Sequence, residues 1–306
     1  MAKWMLKAAV QKAISYLPFK ERVNFFFQKY VTRGVDLTDQ HFQYKLEAAR
    51  DHIRYYNKYG TVAREQARVL ELGTGWYPIV PTMLFLAGFE RTVSIDIRSW
   101  MTPERQLIGL RKVLAYHDDG RLAAYLPEVR PERLAVLREI CTSPPAVDTA
   151  ISDSILLDAR VMDATRLDFP DHDFDLICSN NTFEHVYPTV LERILAEFRR
   201  VLKPNGVMSH FIDLSDHFAH LDPSINIYHF LRFSRQQWRL IDNDIQPQNR
   251  LRWPDYLAMY DRLNIPVVEE EILPGSPQLL GEVAVHREYA GYTPEQLAIS
   301  HGYIVS

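Results

Sequence analysis

A chain of 306 residues, 47% hydrophobic and 24% charged, has the make-up of an ordinary globular protein and enough length for a sizeable core. Its 35 Lys and Arg against 39 Asp and Glu leave a net charge of −4. That demotes nucleic acid as a partner, because each neutralised phosphate needs a basic side chain. Two cysteines, Cys141 and Cys178, allow no disulfide framework and no cysteine-based zinc spacing. No run approaches the ~18 apolar residues of a membrane helix. Lys3, Lys7 and Lys12 break up the N-terminal apolar stretch, so no secretion signal is expected and the chain reads as cytoplasmic.

Residues 1–60 read as a helical N-terminal extension. Trp4, Met5, Ala8, Ile14 and Leu17 recur at helical spacing before Pro18. A second helix is expected from Phe19 to about Val31, and a third from Thr38, its N-cap, to Tyr59, with Gly60 as the stop. Residues 1–34 hold seven Lys and Arg against Glu21 alone, +6 in all. Such a basic amphipathic stretch suits a solvated face, or peripheral contact with an anionic membrane.

From residue 67 strands alternate with helices. Arg68–Leu72 is a short apolar strand, Pro78 opens a helix that reaches Gly88, and Thr92–Ile97 is the next strand. Residues 98–153 form an insertion with helical stretches at Pro103–Ala115 and Pro131–Cys141, expected to pack as a cap because long structureless connections are rare in compact domains. Strands follow at Ile155–Met162 and Phe174–Ser179. Val190, Leu191, Ile194, Leu195, Phe198, Val201 and Leu202 then line one face of a helix. Lys203-Pro204-Asn205-Gly206 reads as a turn, and Val207–Asp213 as a strand. Helices are expected near Ser234–Asp242 and Asp255–Leu263, and strands at Val267–Leu273 and Leu297–Val305. The alternation argues for an α/β fold with a parallel sheet covered on both faces.

Glu71-Leu72-Gly73-Thr74-Gly75 sets a carboxylate near a strand end, directly before a Gly-x-Gly turn. In open parallel sheets ligands sit beyond the carboxyl ends of the strands. A dinucleotide fingerprint would want a glycine where this chain has Pro78, and no carboxylate beside a pyrophosphate, which argues against a nicotinamide oxidoreductase. Glu71 instead suits a ligand bearing an ammonium group. Asp96 closes the second strand within reach of ribose hydroxyls.

Together with Asp163-Ala164, Phe174-Asp175-Leu176-Ile177, Phe183-Glu184-His185-Val186 and Leu202-Lys203-Pro204-Asn205-Gly206, these residues resemble the ordered motifs of class I S-adenosylmethionine-dependent methyltransferases, type 11-like. The resemblance covers about residues 67–213. It departs from the family pattern at Trp76-Tyr77, where a third small residue is usual, and in the long insertion. It implies a Rossmann-like seven-stranded sheet in residues 61–306, with S-adenosyl-L-methionine as cofactor. By the same resemblance Glu71 and Gly73 would hold the methionine end, and Gly75 would allow close backbone approach. Asp96 would take the ribose, Asp163 and Ala164 the adenine, and Asn180 would lie beside the sulfonium.

Methyl transfer to a hydroxyl benefits from alignment and from a base, commonly histidine. Neighbouring fourth and fifth strands would bring Glu184 and His185 to the same rim as Asp213, Asp216, His217 and His220. His217 and His185 are therefore the expected bases, with Asp216 beside them. Asp/His clusters in loops more often hydrogen-bond than hold a cation, so no metal is expected. The expected reaction is O-methylation of a small molecule or a sugar or glycan. A lipid-linked acceptor at a membrane surface, and a non-catalytic cofactor-binding module, are the alternatives.

Overall fold

The computed structural model describes residues 3–16, 36–145, 150–244 and 246–306. The helix expected at Phe19–Val31 lies outside the described residues. Seven strands form one sheet in the order β3-β2-β1-β4-β5-β7-β6: β1 (Arg68–Leu72), β2 (Arg91–Asp96), β3 (Leu157–Val161), β4 (Phe174–Asn180), β5 (Leu202–Asp213), β6 (Glu269–Leu273) and β7 (His301–Val305). β1 pairs in parallel with β2 and with β4, and β2 with β3. The chain divides into two compact units: one of residues 37–180, 193–210 and 305–306, the other of residues 1–36, 181–192 and 211–304.

In the first unit α1 plays no part; the leading helix is α2 (Asp39–Tyr59), where α1 is Lys3–Ser15. Phe42, Leu46, Ala49, Ile53 and Tyr56, spaced four and three apart, are its buried stripe. Thr38 Oγ1 accepts from His41 N at 3.2 Å, the N-cap read from the sequence. Gly60 ends the helix, but not through a left-handed turn: its φ is −67°. A Cβ there would stand 2.6 Å from the Tyr56 carbonyl oxygen, so space is what requires glycine. β1 is buried along Val69–Leu72, and α3 (Ile79–Ala87) is buried at every position. That explains two short segments that are apolar almost throughout.

The insertion forms α4 (Pro103–Asp118), α5 (Pro131–Thr142) and α6 (Ala150–Ser154), which pack on one another. Thr102 caps α4, accepting from Arg105 N at 3.4 Å. Arg133 fastens α5 to the end of α3 by donating to the Phe85 and Phe89 carbonyls at 2.9 and 2.6 Å. β3 starts at Leu157 and not at Ile155, because Ile155 and Leu156 close the turn after α6. α7 (Pro188–Val201) buries Leu191, Ile194, Leu195, Phe198 and Val201, the face expected of it.

Two expectations need correction. Lys203-Pro204-Asn205-Gly206 is not a separate turn: β5 runs unbroken from Leu202, with Lys203 Nζ donating to Asp175 Oδ2 at 2.7 Å. Its first residues lie largely at the surface, where the missing proline N–H is harmless. The segment from Leu297 does not begin as a strand. Thr293 and Gln296 form a reciprocal capping box that starts a short helix, and β7 begins only at His301.

The second unit is built around Phe218, Tyr228, Phe230, Leu231, Trp238 and Tyr289, joined by Ala8 of α1. It contains α8 (Arg235–Ile241), α9 (Trp253–Arg262), α10 (Pro277–Gly281) and α11 (Pro294–Ala298).

Candidate active site

In the first unit a cavity of about 570 Å³ runs from the carboxyl ends of β1 and β2 along β3 as far as Arg91. Thr74, Gly75, Ser94, Asp96, Trp100 and Gln106 are among its lining. Glu71 lies just beneath, its carboxylate accepting from the Thr74 hydroxyl, which also bonds Ser94. Burial pushes the Glu71 carboxyl up to about 7, against the opposing pull of Lys45 and Thr74. Gly73 and Gly75 have φ of +80° and +76°, the left-handed region open to glycine at little cost. At Gly75 a Cβ would meet nothing within 4 Å, so its conformation is reason enough for glycine there.

Asp96 Oδ1 accepts from Trp100 Nε1 at 3.0 Å, and burial raises its carboxyl. Trp100 packs 4.5 Å from Trp76, and the Arg105 guanidinium lies 4.4 Å from the Trp76 ring. This aromatic wall stands where the sequence departs from the family's small residue. It went unforeseen because Trp100 and Arg105 fall inside the insertion.

Asp163 is exposed, and its Oδ1 accepts from Thr165 N at 2.9 Å, which holds its carboxyl below the usual range. Ala164 is buried behind it. Neither residue lines the cavity, nor do Glu71, Gly73 or Asn180. Asn180 ends β4, buried, with Oδ1 accepting from His52 Nε2 at 3.1 Å; His52 Nδ1 meets Ser209 Oγ at 2.8 Å. Nothing in the sequence paired His52 with Asn180. The one signal was a histidine on the apolar face of a helix.

The second unit gathers the histidines. A single turn, Phe183–His185, follows β4 and is stapled by Asn249 Nδ2, which donates to the Phe183 and Val186 carbonyls at 2.8 and 2.9 Å. His185 Nδ1 donates to the Pro247 carbonyl at 2.7 Å, leaving Nε2 to accept. Burial, with the nearby His217, brings its pKa down to about 4. The His185 and His217 rings meet edge to face, 4.9 Å apart. His217 Nε2 stands 3.2 Å from Asp213 Oδ2, and His301 Nε2 lies 3.2 Å from Asp213 Oδ1. Burial alone would raise the Asp213 carboxyl, but the two histidines hold it well below its ordinary range.

Asp216 is placed differently from the expectation. It is fully buried, with Oδ1 accepting from Phe218 N at 2.8 Å and Oδ2 3.3 Å from His229 Nδ1. The carboxylate at His217 is Asp213; Asp216 holds the loop together. Arg252 fixes the same loop from inside. Its guanidinium is buried and donates to the carbonyls of Leu214, Leu297 and Ile299 at 2.8, 2.9 and 2.6 Å.

Residues 119–209 match the methyltransferase domain family, over the stretch that carries Asp163, β4 and α7. The seven-stranded sheet, in the order 3-2-1-4-5-7-6, is the α/β fold expected from the sequence. The matched stretch resembles a methyltransferase domain. Among solved structures, the chain is similar to an S-adenosylmethionine-dependent methyltransferase from Leishmania major at 12% identity and a TM-score of 0.47, over 99% of this chain and 83% of that one. A second such enzyme, from Methanosarcina mazei, is 14% identical over 81% and 94% of the two chains, with a TM-score of 0.43. A protein from Pyrococcus horikoshii is 20% identical with a TM-score of 0.36, over 61% of this chain and 65% of its own length. No curated protein matches the chain.

S-adenosylmethionine is the cofactor that the sequence resemblance implies, and the residues of the cavity can be set against it. The cavity is of nucleoside size, Asp96 lines it as a ribose acceptor would, and Glu71 gives a buried carboxylate for an ammonium group. The bound sulfonium supplies an electrophilic methyl group.

Proposed function

We propose that the protein is an S-adenosylmethionine-dependent methyltransferase that methylates a hydroxyl oxygen of a small molecule or a glycan. The observation that carries this reading is the pairing of two half-buried imidazoles, His185 and His217, with the Asp213 carboxylate. An amine acceptor needs little more than alignment once deprotonated, whereas a hydroxyl must lose its proton as the new bond forms. His185 is suited to receive that proton. Its Nδ1 hydrogen is committed to Pro247, so the Nε2 lone pair is available. His217, ordered by Asp213, flanks it.

A lipid-linked acceptor has less support. Lys12 Nζ donates to the Arg239 and Asp242 carbonyls at 3.0 and 2.6 Å, and Lys7 lies 5.5 Å from the Phe218 ring. Two of the three lysines of α1 are thus engaged within their own unit; residues 17–34 of the basic stretch lie outside the described residues.

The test is a screen with labelled methyl donor over hydroxylated small molecules, sugars and matched amines. Oxygen products are expected, and His185→Ala should cut turnover roughly a hundredfold while leaving the affinity for S-adenosylhomocysteine within about twofold. Amine products alone would reject the reading.

A further inference from the structure

The loop after β5 gathers ligand-capable atoms more densely than hydrogen bonding alone requires. One atom from each of Asp213, His217 and His220 lies within 4.8 Å of the other two. His217 Nε2 and Asp213 Oδ2 are 3.2 Å apart. That is close to the roughly 3.3 Å separating two ligands that each sit ~2.0 Å from a tetrahedral zinc ion.

The surroundings match those of a metal ligand as well. Ligating carboxylates are themselves hydrogen-bonded through the oxygen turned from the ion. Asp213 Oδ1 accepts from Ser215 N at 2.7 Å and lies 3.2 Å from His301. The triad is buried at Asp213 and exposed at His220, so an ion has a way in from solvent.

We propose that Asp213, His217 and His220 bind a divalent first-row transition ion of the zinc class, against the metal-free site expected from the sequence. Two imidazoles and one carboxylate favour such an ion over magnesium or calcium, which prefer all-oxygen sites. Three protein ligands leave a position for an exogenous oxygen. This deepens the oxygen-methylation reading and, for its role in the reaction, rests on it. A hydroxyl bound to the ion is more acidic. His185 Nε2, in the same unit, would take its proton, and the sulfonium, when bound, would supply the methyl group. Ether, neutral thioether and protonated imidazole balance the step.

Full-length protein stripped with a chelator would be titrated with Zn²⁺ by calorimetry and with Co²⁺ by visible absorption. One ion per chain is expected, with cobalt bands of low-coordinate intensity. His220→Ala, at an exposed position, and Asp213→Asn should each weaken zinc binding tenfold or more. Undiminished affinity in both variants, or the absence of stoichiometric uptake, overturns the site. The two proposals fail separately. Hydroxyl methylation by protein that takes up no zinc overturns the ion alone; zinc held at this triad in an enzyme that methylates only amines supports the site and removes its assigned role.

Discussion

His52 Nε2 lies 3.1 Å from Asn180 Oδ1, and this contact sets both the tautomer of the one and the orientation of the other. An amide oxygen only accepts, so Nε2 carries the hydrogen. Burial lowers the His52 pKa to about 4, so the ring is neutral near pH 7 and Nδ1 accepts from the Ser209 hydroxyl. Asn180 is the residue that the family resemblance sets beside the sulfonium, and α2 thereby determines how its amide is presented.

His52→Ala strands the partner groups of Asn180 and Ser209 in a buried place. A loss of about 1–3 kcal/mol in stability is expected, with a several-fold loss of S-adenosylhomocysteine affinity. His52→Gln, which keeps a donor, should recover part of both. Denaturant melts and calorimetry on the two variants check this; equal behaviour of both would remove the hydrogen bond from the account. Acid should act the same way on the parent protein. A histidine with a depressed folded pKa loses stability as pH falls from about 6.5 towards 4, because the unfolded chain takes up the proton first.

The Glu71 carboxyl, raised to about 7, gives two pH dependences of opposite sign, one in binding and one in folding. An ammonium group binds the ionised carboxylate, so cofactor affinity should climb between about pH 6 and 8 and then level off. For folding the sign reverses. The buried acid stays protonated while the unfolded chain ionises near 4.5, so stability is lost as pH rises from there to 7, by roughly 3 kcal/mol. Glu71→Gln should flatten both profiles. Calorimetric titrations across pH, beside melts at matched pH, separate the two effects; a flat affinity profile in the parent would discount Glu71 as the ammonium partner.

How much of this was legible in the sequence depends on the range of the force involved. β1, α2 and the face of α7 follow from apolar periodicity and caps, which act over a few residues; the strand at Arg68–Leu72 matches to the residue. The Glu71-Leu72-Gly73-Thr74-Gly75 turn is equally local. The His185–His217 pair could be expected because two successive strand ends carry both residues. His52 with Asn180, His301 with Asp213, Trp100 with Asp96, and Arg252 under the loop were not legible. Apart from Trp100, each joins residues far apart in the chain, and the choice of Asp213 over Asp216 turns on which way a single loop side chain faces.

Asp96→Ala tests the cofactor cavity directly. If its carboxylate takes ribose hydroxyls, losing it should weaken S-adenosylhomocysteine binding by about 1–3 kcal/mol. Trp100→Phe removes the indole donor that now occupies Oδ1 but keeps much of the contact with Trp76. Its effect on affinity should be smaller than that of Asp96→Ala. Calorimetry on both variants checks the order, and unchanged affinity in Asp96→Ala would count against the ribose role.

Arg252 should prove the most costly of these residues to the fold. It is wholly buried, and three backbone carbonyls, Leu214, Leu297 and Ile299, depend on it. Burial lowers its pKa without discharging it, since guanidinium titrates far above neutrality. Arg252→Met keeps the length of the stem and removes the donors, stranding three acceptors at about 1–3 kcal/mol each before relaxation. A loss of at least 3 kcal/mol is expected in urea unfolding, together with displacement of the Asp213–His217 loop that Leu214 begins. Arg252→Lys offers one cation in place of a fork and cannot reach all three carbonyls at once, so it should fall between the parent and Arg252→Met. Lysine matching methionine would mean that packing of the stem, and not the donor fork, holds the loop.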